Sequence, residues 1–239
     1  LESGVAELFT RYGVTTIGEI SETLNGLRAF RRGIESGSIA ARLNVYLWAP
    51  GTVSLQEATD PALLAQLRGE HRDRFDITGV KVFADGGFSA AQAAISTEYL
   101  HAPGSCGSVA LAPDEVAEAY RATREAGLQL AIHANGVRTQ LEVCRALATA
   151  RERFGEHPGV RIEHAGNYVP DYPALAQAWR AAGILPVPQP IFLKNFGEFV
   201  PDYVGETAWQ AQFPFRTMLA DGWPISGSSD VWVGSDEHQ

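Results

Sequence analysis

Two hydrophobic patterns follow one another repeatedly along the chain. Stretches with apolar residues every three or four positions are typical of amphipathic helices, and residues 113–127 and 138–154 are the clearest of them. Each such stretch is followed, after a glycine, by a short run that is apolar almost throughout. Continuously apolar strands separated by helices indicate a parallel sheet with both faces covered.

The pattern predicts seven strands, and this number favours a (β/α)8 TIM-like barrel that lacks one strand. The chain starts "LESGVAELF" without an initiating Met, so we expect the missing first strand in a preceding segment. An open doubly wound sheet is the alternative, although no glycine-rich phosphate loop follows any predicted strand. We interpret residues 1–239 as one incomplete barrel domain. The predicted strands lie near Val14–Ile20, Leu43–Trp48, Val80–Ala84, Leu128–His133, Val160–His164, Ile184–Gln189 and Pro224–Gly227.

Composition and charge limit the possible partners. The net charge of -9 argues against nucleic acid, which is bound through clustered Lys and Arg. No apolar run is long enough to cross a bilayer, and no signal-peptide pattern opens the chain. The two cysteines, Cys106 and Cys144, lack metal-binding or disulfide spacing. We therefore expect a cytoplasmic protein with a small-molecule substrate and no membrane partner, and a homodimer stays an open possibility.

Polar side chains recur where the predicted strands end. In a parallel barrel the carboxyl ends of the strands meet at one face, where catalytic groups gather. His133 and His164 end adjacent strands, Lys81 or Asp85 lies near the end of an earlier one, and Asp230 follows the last. Neutral imidazole and carboxylate are ligands that suit zinc. The pattern predicts a divalent metal site, with zinc as the expected ion in one or two copies.

Six segments in order along the chain carry a family resemblance: "GVTTIGEI", "GVKVFADGGFSAAQAA", "AIHANG", "RIEHAG", "PVPQPIFL" and "SGSSDVWVGSD". Together they resemble the amidohydrolase superfamily, and most closely its subgroup related to N-substituted formamide deformylase (amidohydrolase family 3). The resemblance implies a metal-dependent hydrolase on a distorted (β/α)8 barrel that cleaves C–N bonds of amides, formamides or cyclic amides.

The resemblance also implies roles for single residues. His133 and His164 match the metal histidines of the fifth and sixth strands, and Asp230 matches the aspartate that ends the eighth. Lys81 matches a lysine that many members carry carboxylated, as a bridge between two metals. Asp230 would then be both a metal ligand and the catalytic group that takes a proton from a metal-activated water. Candidate substrate-binding residues near the strand ends are Gln189, Asn135, Trp48 and Phe88.

Three departures from the family pattern keep other functions open. No His-x-His pair occurs in these residues, Val137 stands where the subgroup carries an aspartate, and the chain cannot form the accompanying β-sandwich. One alternative is a Schiff-base lyase in which the Lys81 amine attacks a carbonyl substrate. The other is a catalytically degenerate barrel that acts as a binding or scaffold unit.

Overall fold

A computed structural model of the protein describes residues 12–230. Six strands form one hydrogen-bonded sheet in which the spatial order equals the chain order. The pairs β1–β2, β2–β3 and β5–β6 are parallel. A doubly wound sheet reverses its strand order at a switch point. The described strands show no such reversal, so the alternative of a doubly wound sheet is wrong. The strands are β1 (Thr16–Ser21), β2 (Arg42–Trp48), β3 (Phe75–Phe83), β4 (Gln129–His133), β5 (Val160–Glu163) and β6 (Leu185–Val187).

Ten helices are described between and after these strands. Several are single turns, as their four or five residues indicate. They are α1 (Leu24–Glu35), α2 (Leu55–Ala58), α3 (Pro61–Arg68), α4 (Pro113–Glu125), α5 (Val137–Phe154), α6 (Tyr172–Ala182), α7 (Ile191–Asn195), α8 (Val200–Val204), α9 (Ala208–Ala211) and α10 (Phe215–Ala220). Among residues 12–230, no helix has both the length and the apolar composition needed to cross a membrane.

The predicted strand at Pro224–Gly227 is wrong. These residues follow α10 as irregular chain. Pro224 has no amide hydrogen to donate to a sheet, and the Ile225 amide donates to the carbonyl of Trp223 just before it. The segment is tied to the rest of the chain further on, where the Ser228 amide donates to the Pro188 carbonyl at 3.0 Å.

The chain divides into two compact units, which are described separately. The first holds residues 12–82 and 121–131 of the described chain. Its helix α1 begins where the Thr23 hydroxyl accepts from the Gly26 amide at 3.0 Å, and it buries Leu27, Phe30 and Ile34 at helical spacing. A cleft of about 320 Å³ borders α3 in this unit, and it contains none of the predicted site residues.

Glycine at position 79 in β3 has a steric reason. Tyr46 in β2 pairs with Gly79 after a register shift, and a Cβ at position 79 would lie 2.4 Å from the Tyr46 ring. The Tyr46 hydroxyl donates to the Gln129 side chain in β4. A side chain larger than hydrogen at position 79 would therefore push β2 and β3 apart.

The second unit holds residues 83–120 and 132–230 of the described chain. Helices α5 and α6 bury Trp179, whose indole N–H donates to Gln140 at 3.2 Å. Helix α6 is capped at its start by Asp171, whose side chain accepts from the Ala174 amide, and is followed by Gly183 in the left-handed conformation. The strand ends of this unit carry both predicted histidines.

Candidate functional site

His133 and His164 lie side by side at the carboxyl ends of neighbouring strands. His133 is the last residue of β4, and His164 follows β5 directly. The Ala134 amide reaches the Glu163 carbonyl, and the His164 amide donates to the Val187 carbonyl of β6 at 3.0 Å. This register places His133 Nδ1 and His164 Nε2 only 3.1 Å apart. The structure thus brings together two residues that are 31 positions apart in the sequence.

The backbone of His164 is strained. Its φ of 72° lies in the left-handed region, which costs a residue other than glycine about 1–2 kcal/mol. Hydrogen bonds on both sides hold it there, since its amide donates to Val187 and its carbonyl accepts from Asn167. The residue is 5% exposed. Strain of this kind persists where the surroundings over-determine a conformation, and it is a recognised feature of functional sites.

Gln189 and Asn167 form the buried support beneath His164. Gln189 Oε1 lies 2.7 Å from His164 Nδ1 and accepts from Asn167 Nδ2 at 2.8 Å. Gln189 Nε2 donates to the Val187 carbonyl and to the Ser228 hydroxyl. Gln189 was predicted to bind substrate. In this structure it is 1% exposed and all of these bonds are internal, so its observed contacts are those of a residue that orients His164.

Asp85 holds the far side of His133. Its carboxylate accepts backbone N–H groups of Asn135 at 2.9 Å, Gly136 at 2.7 Å and Ala94 at 3.2 Å. His133 Nε2 lies 3.6 Å from Asp85 Oδ1. Burial raises the pKa of Asp85 to about 6, and the hydrogen bonds from Thr139 and the three amides act against that rise. Asp85 therefore ties the loop after β3 to the loop between β4 and α5.

A very close backbone approach accompanies these bonds. A Cβ at Gly136 would lie 2.2 Å from the carbonyl oxygen of Ala94. The Arg138 amide donates to the same oxygen at 3.0 Å. Glycine at position 136 is therefore required for the loop at Ala94 to lie against the first turn of α5.

Aromatic rings cover the two imidazoles. Phe83 stacks on His133 with ring centroids 4.8 Å apart, and Phe192 lies nearly parallel to His164 at 6.0 Å. Phe196, which is 45% exposed, meets Phe192 edge-on at 4.9 Å. Apolar walls of this kind lower water access around polar groups and are usual in small-molecule sites.

The other predicted residues have varied positions. The Asn135 side chain donates to the Gly86 carbonyl and lies 3.2 Å from His133 Nε2. Phe88 contacts the rings of Tyr99 and Tyr168. Lys81 is 2% exposed on β3 and pairs in register with Trp48, and both belong to the first unit. Asp230 is exposed and lies in irregular chain. The strand predicted at Pro224–Gly227, which was expected to place it, does not form.

The two histidines fit one metal ion as a pair of ligands. Zinc binds histidine nitrogen at about 2.0–2.1 Å with tetrahedral angles, which sets two such nitrogens roughly 3.3 Å apart. The observed separation of 3.1 Å is close to that value. Within residues 12–230, however, no group of three or more His, Cys, Asp or Glu is arranged to hold an ion. The described part of the chain therefore offers two ligands of a site.

Asn167 and Phe83 were not predicted as site residues, and Asp85 was named only as the alternative to Lys81 at the end of its strand. Asn167 follows His164 in "EHAGNY", where an asparagine after a glycine is typical of any turn. Phe83 reads as an ordinary strand residue. Only the periodicity of "GVKVFADGG" places Asp85 beyond the strand end, and nothing in that pattern indicates three amide partners.

Comparison with known proteins gives one family over nearly the whole chain. The model of the amidohydrolase family matches residues 3–236. The Bacillus subtilis (strain 168) protein named "Putative amidohydrolase YtcJ" is 27% identical over 152 residues, which are 64% of this chain and 28% of that protein. The Arabidopsis thaliana protein LONG AFTER FAR-RED 3 is 28% identical over 166 residues, 66% of this chain and 26% of that protein.

Among solved structures, an uncharacterized metal-dependent hydrolase from Pyrococcus furiosus superimposes with a TM-score of 0.74 at 26% identity. The match covers 94% of this chain and 44% of that chain. The present chain thus spans about a quarter of the curated relatives and under half of this solved one.

Proposed function

Because the chain belongs to the amidohydrolase family, we propose that it carries part of the active site of a metal-dependent hydrolase that cleaves C–N bonds. The observation that carries the proposal is the approach of His133 Nδ1 to His164 Nε2 at 3.1 Å, at the ends of adjacent strands. The substrates we propose are small amides, formamides or cyclic amides, as in the subgroup related to N-substituted formamide deformylase. The whole protein would form the eight-stranded barrel of that family.

In this proposal His133 and His164 hold a divalent cation, zinc in the first instance, and Lys81 and Asp230 complete the site. When bound, such a cation polarises a carbonyl and lowers the pKa of water from about 15.7 to about 7. Asp230 would receive the proton of the attacking water and return it to the leaving nitrogen. Lys81 could contribute only as a carbamate, because its ammonium would repel a cation.

The residues around the histidines have tasks of their own in this reaction. Gln189 and Asn167 hold the His164 ring, and Asp85 holds the loop beside His133. Phe83 and Phe192 lie against the two rings and would limit the approach of water, and the exposed Phe196 extends the apolar wall from Phe192. A small substrate with an apolar substituent would find an apolar wall on the His164 side.

Zinc binding by single-histidine variants tests the proposal. The 239-residue chain should bind zinc in a calorimetric titration, and His133→Ala and His164→Ala should each weaken binding by more than the roughly 10–100-fold that loss of a supporting residue costs. His71→Ala is the matched control, because His71 is exposed and lies in the first unit. Equal zinc binding by all four proteins, or none by the wild type, would contradict the metal site.

Activity is tested with the same samples. Release of amine from a panel of N-substituted formamides and cyclic amides should stop on addition of a chelator and return with zinc. Amine release that a chelator leaves unchanged would overturn the metal-dependent mechanism. Zinc binding without turnover of any amide would instead support the binding-unit alternative.

A further inference from the structure

We infer that Gln189 is a positioning residue that fixes the tautomer of His164. We also infer that the hydrogen bonds beyond it all point the same way, with Asn135 donating to His133 and His133 donating to His164. The inference rests on the proposed function only where it concerns metal binding. In the neutral form of the two rings, this chain of hydrogen bonds places the hydrogen of each on Nδ1, so the two histidines are unequal as ligands.

Backbone groups determine the orientation of the two supporting amides. The Val187 carbonyl can only accept, so the Gln189 atom 2.9 Å from it is Nε2. The Gln189 backbone N–H can only donate, so the Asn167 atom 2.9 Å from it is Oδ1. Asn167 Nδ2 then faces Gln189 Oε1 at 2.8 Å. Neither amide can be turned over without placing two donors or two acceptors against each other.

The tautomer of His164 follows from this orientation. Gln189 Oε1 is an acceptor and lies 2.7 Å from His164 Nδ1, so that nitrogen must carry a hydrogen. In the neutral ring the other nitrogen, Nε2, then carries a lone pair and can only accept a hydrogen bond. Burial of His164, at 5% exposure, keeps competing water from this arrangement.

The next hydrogen bond, between His133 and His164, has the same direction of donation, toward Gln189. His164 Nε2 is an acceptor, and His133 Nδ1 lies 3.1 Å away, so His133 also carries its hydrogen on Nδ1. His133 Nε2 is then an acceptor, and it faces Asn135 Nδ2 at 3.2 Å. Asn135 Nδ2 is itself oriented by the Gly86 carbonyl at 3.2 Å. Every donor in the chain meets an acceptor, and the chain ends on backbone carbonyls at both sides.

The consequence for metal binding is an asymmetry between the histidines. His164 presents a lone pair at Nε2, whereas His133 presents a hydrogen at Nδ1 to the same space. Both can bind one ion only if the His133 hydrogen moves from Nδ1 to Nε2, a tautomeric change with no net uptake or loss of protons. Asp85 Oδ1, 3.6 Å from His133 Nε2, is the acceptor available for the moved hydrogen once Asn135 turns aside.

Nitrogen-15 spectra of the histidine rings test the chain directly. In metal-free protein at about pH 8, above the ordinary histidine pKa of about 6.5, both rings should show the Nδ1–H tautomer. Adding zinc should leave His164 unchanged and convert His133 to the Nε2–H form. A metal-free His164 in the Nε2–H form would overturn the inference. If zinc fails to bind, the proposed function fails while the metal-free spectra still decide the tautomers.

Substitution at position 189 separates positioning from packing. Gln189→Leu removes the acceptor, so the Nε2–H tautomer of His164 should become populated and zinc affinity should fall roughly 10–100-fold. Gln189→Glu loses the donor toward the Val187 carbonyl but keeps an acceptor toward Nδ1, so it should retain the Nδ1–H tautomer and provides a readout if the leucine variant does not fold. Gln212→Leu removes an amide that bonds only Gly197 among the described contacts, and it should change neither property. An unchanged His164 tautomer in Gln189→Leu would exclude the positioning role.

Discussion

Asp85 shows how much a single side chain can organise when its partners are backbone groups. Its two oxygens accept three amide hydrogens from two separate loops, and its exposed fraction is 6%. Charge-assisted bonds of this kind are stronger than neutral ones. His133 therefore stands beside a carboxylate whose position is set mainly by three backbone amides.

Replacement of Asp85 by Asn should destabilise the protein strongly. Whichever oxygen becomes an NH2 group would face a backbone N–H, leaving buried donors unpaired, and we expect a loss of about 2–3 kcal/mol in the free energy of unfolding. Urea unfolding monitored by fluorescence measures it. Asp60→Asn is the matched control, because Asp60 accepts from the Leu63 amide at an exposed helix start where Asn is equally suitable. Equal stability losses in the two variants would contradict the assigned role of Asp85.

Helices α5 and α6 illustrate how amphipathic elements cover a parallel sheet. Trp179 of α6 is fully buried, donates to Gln140 of α5, and meets the ring of Trp223 edge-on at 5.7 Å. The hydrophobic periodicity predicted α5 over residues 138–154, and the helix spans Val137–Phe154. The buried indole joins these helices to the segment after α10, which carries Ser228 toward Gln189.

Truncation of this indole should cost far more than truncation of an exposed one. Trp179→Ala leaves a cavity between α5 and α6 and an unpaired Gln140 oxygen, so we expect a loss of about 3–5 kcal/mol. Trp209→Ala removes a side chain that is 54% exposed and should change stability by less than about 0.5 kcal/mol. Thermal or urea unfolding of both variants is the measurement. A small effect at Trp179 would show that the α5–α6 packing contributes little.

At the scale of the whole molecule, two features are a sheet whose order follows the chain and an excess of acidic residues. Strands β1 to β6 follow one another in space as in sequence, which agrees with the family match over residues 3–236. Acidic residues outnumber basic ones by 28 to 19, and an acidic group whose pKa is shifted by folding makes stability depend on pH. Glu19 in β1 is the clearest of these, because burial, and secondarily Glu22, raises its pKa to about 7.

Stability should therefore depend on the protonation of Glu19. Its pKa is higher in the folded chain than the ordinary value of 4.5, so the folded state holds the proton more tightly. The resulting stabilisation is complete below about pH 4.5 and is lost as pH rises through about 7. Urea midpoints at pH 5 and pH 8 should differ more in the wild type than in Glu19→Gln, which cannot ionise. The same pH dependence in both proteins would assign the effect to other groups.

The sequence by itself determined the approximate positions of six strands, the helices α4 and α5 and the two imidazoles at neighbouring strand ends, but it did not predict α1 or the first half of β3. The predicted features follow from the spacing of apolar residues two to four positions apart, and such local spacing can be read directly from the sequence. The outcome at Pro224–Gly227 shows the limit of such patterns, because a strand also needs a partner for its backbone, and that segment bonds elsewhere.

Only the tertiary structure decided the direction of the hydrogen bonds, the strain at His164 and the role of Asp85. Gln189 meets Asn167 across 22 residues, and Asp85 meets Gly136 across 51. Such pairs are created by the register of the sheet and the path of its loops, which no local pattern specifies. The sequence therefore supplied the two histidines, and the fold decided which nitrogen of each ring is available to a metal.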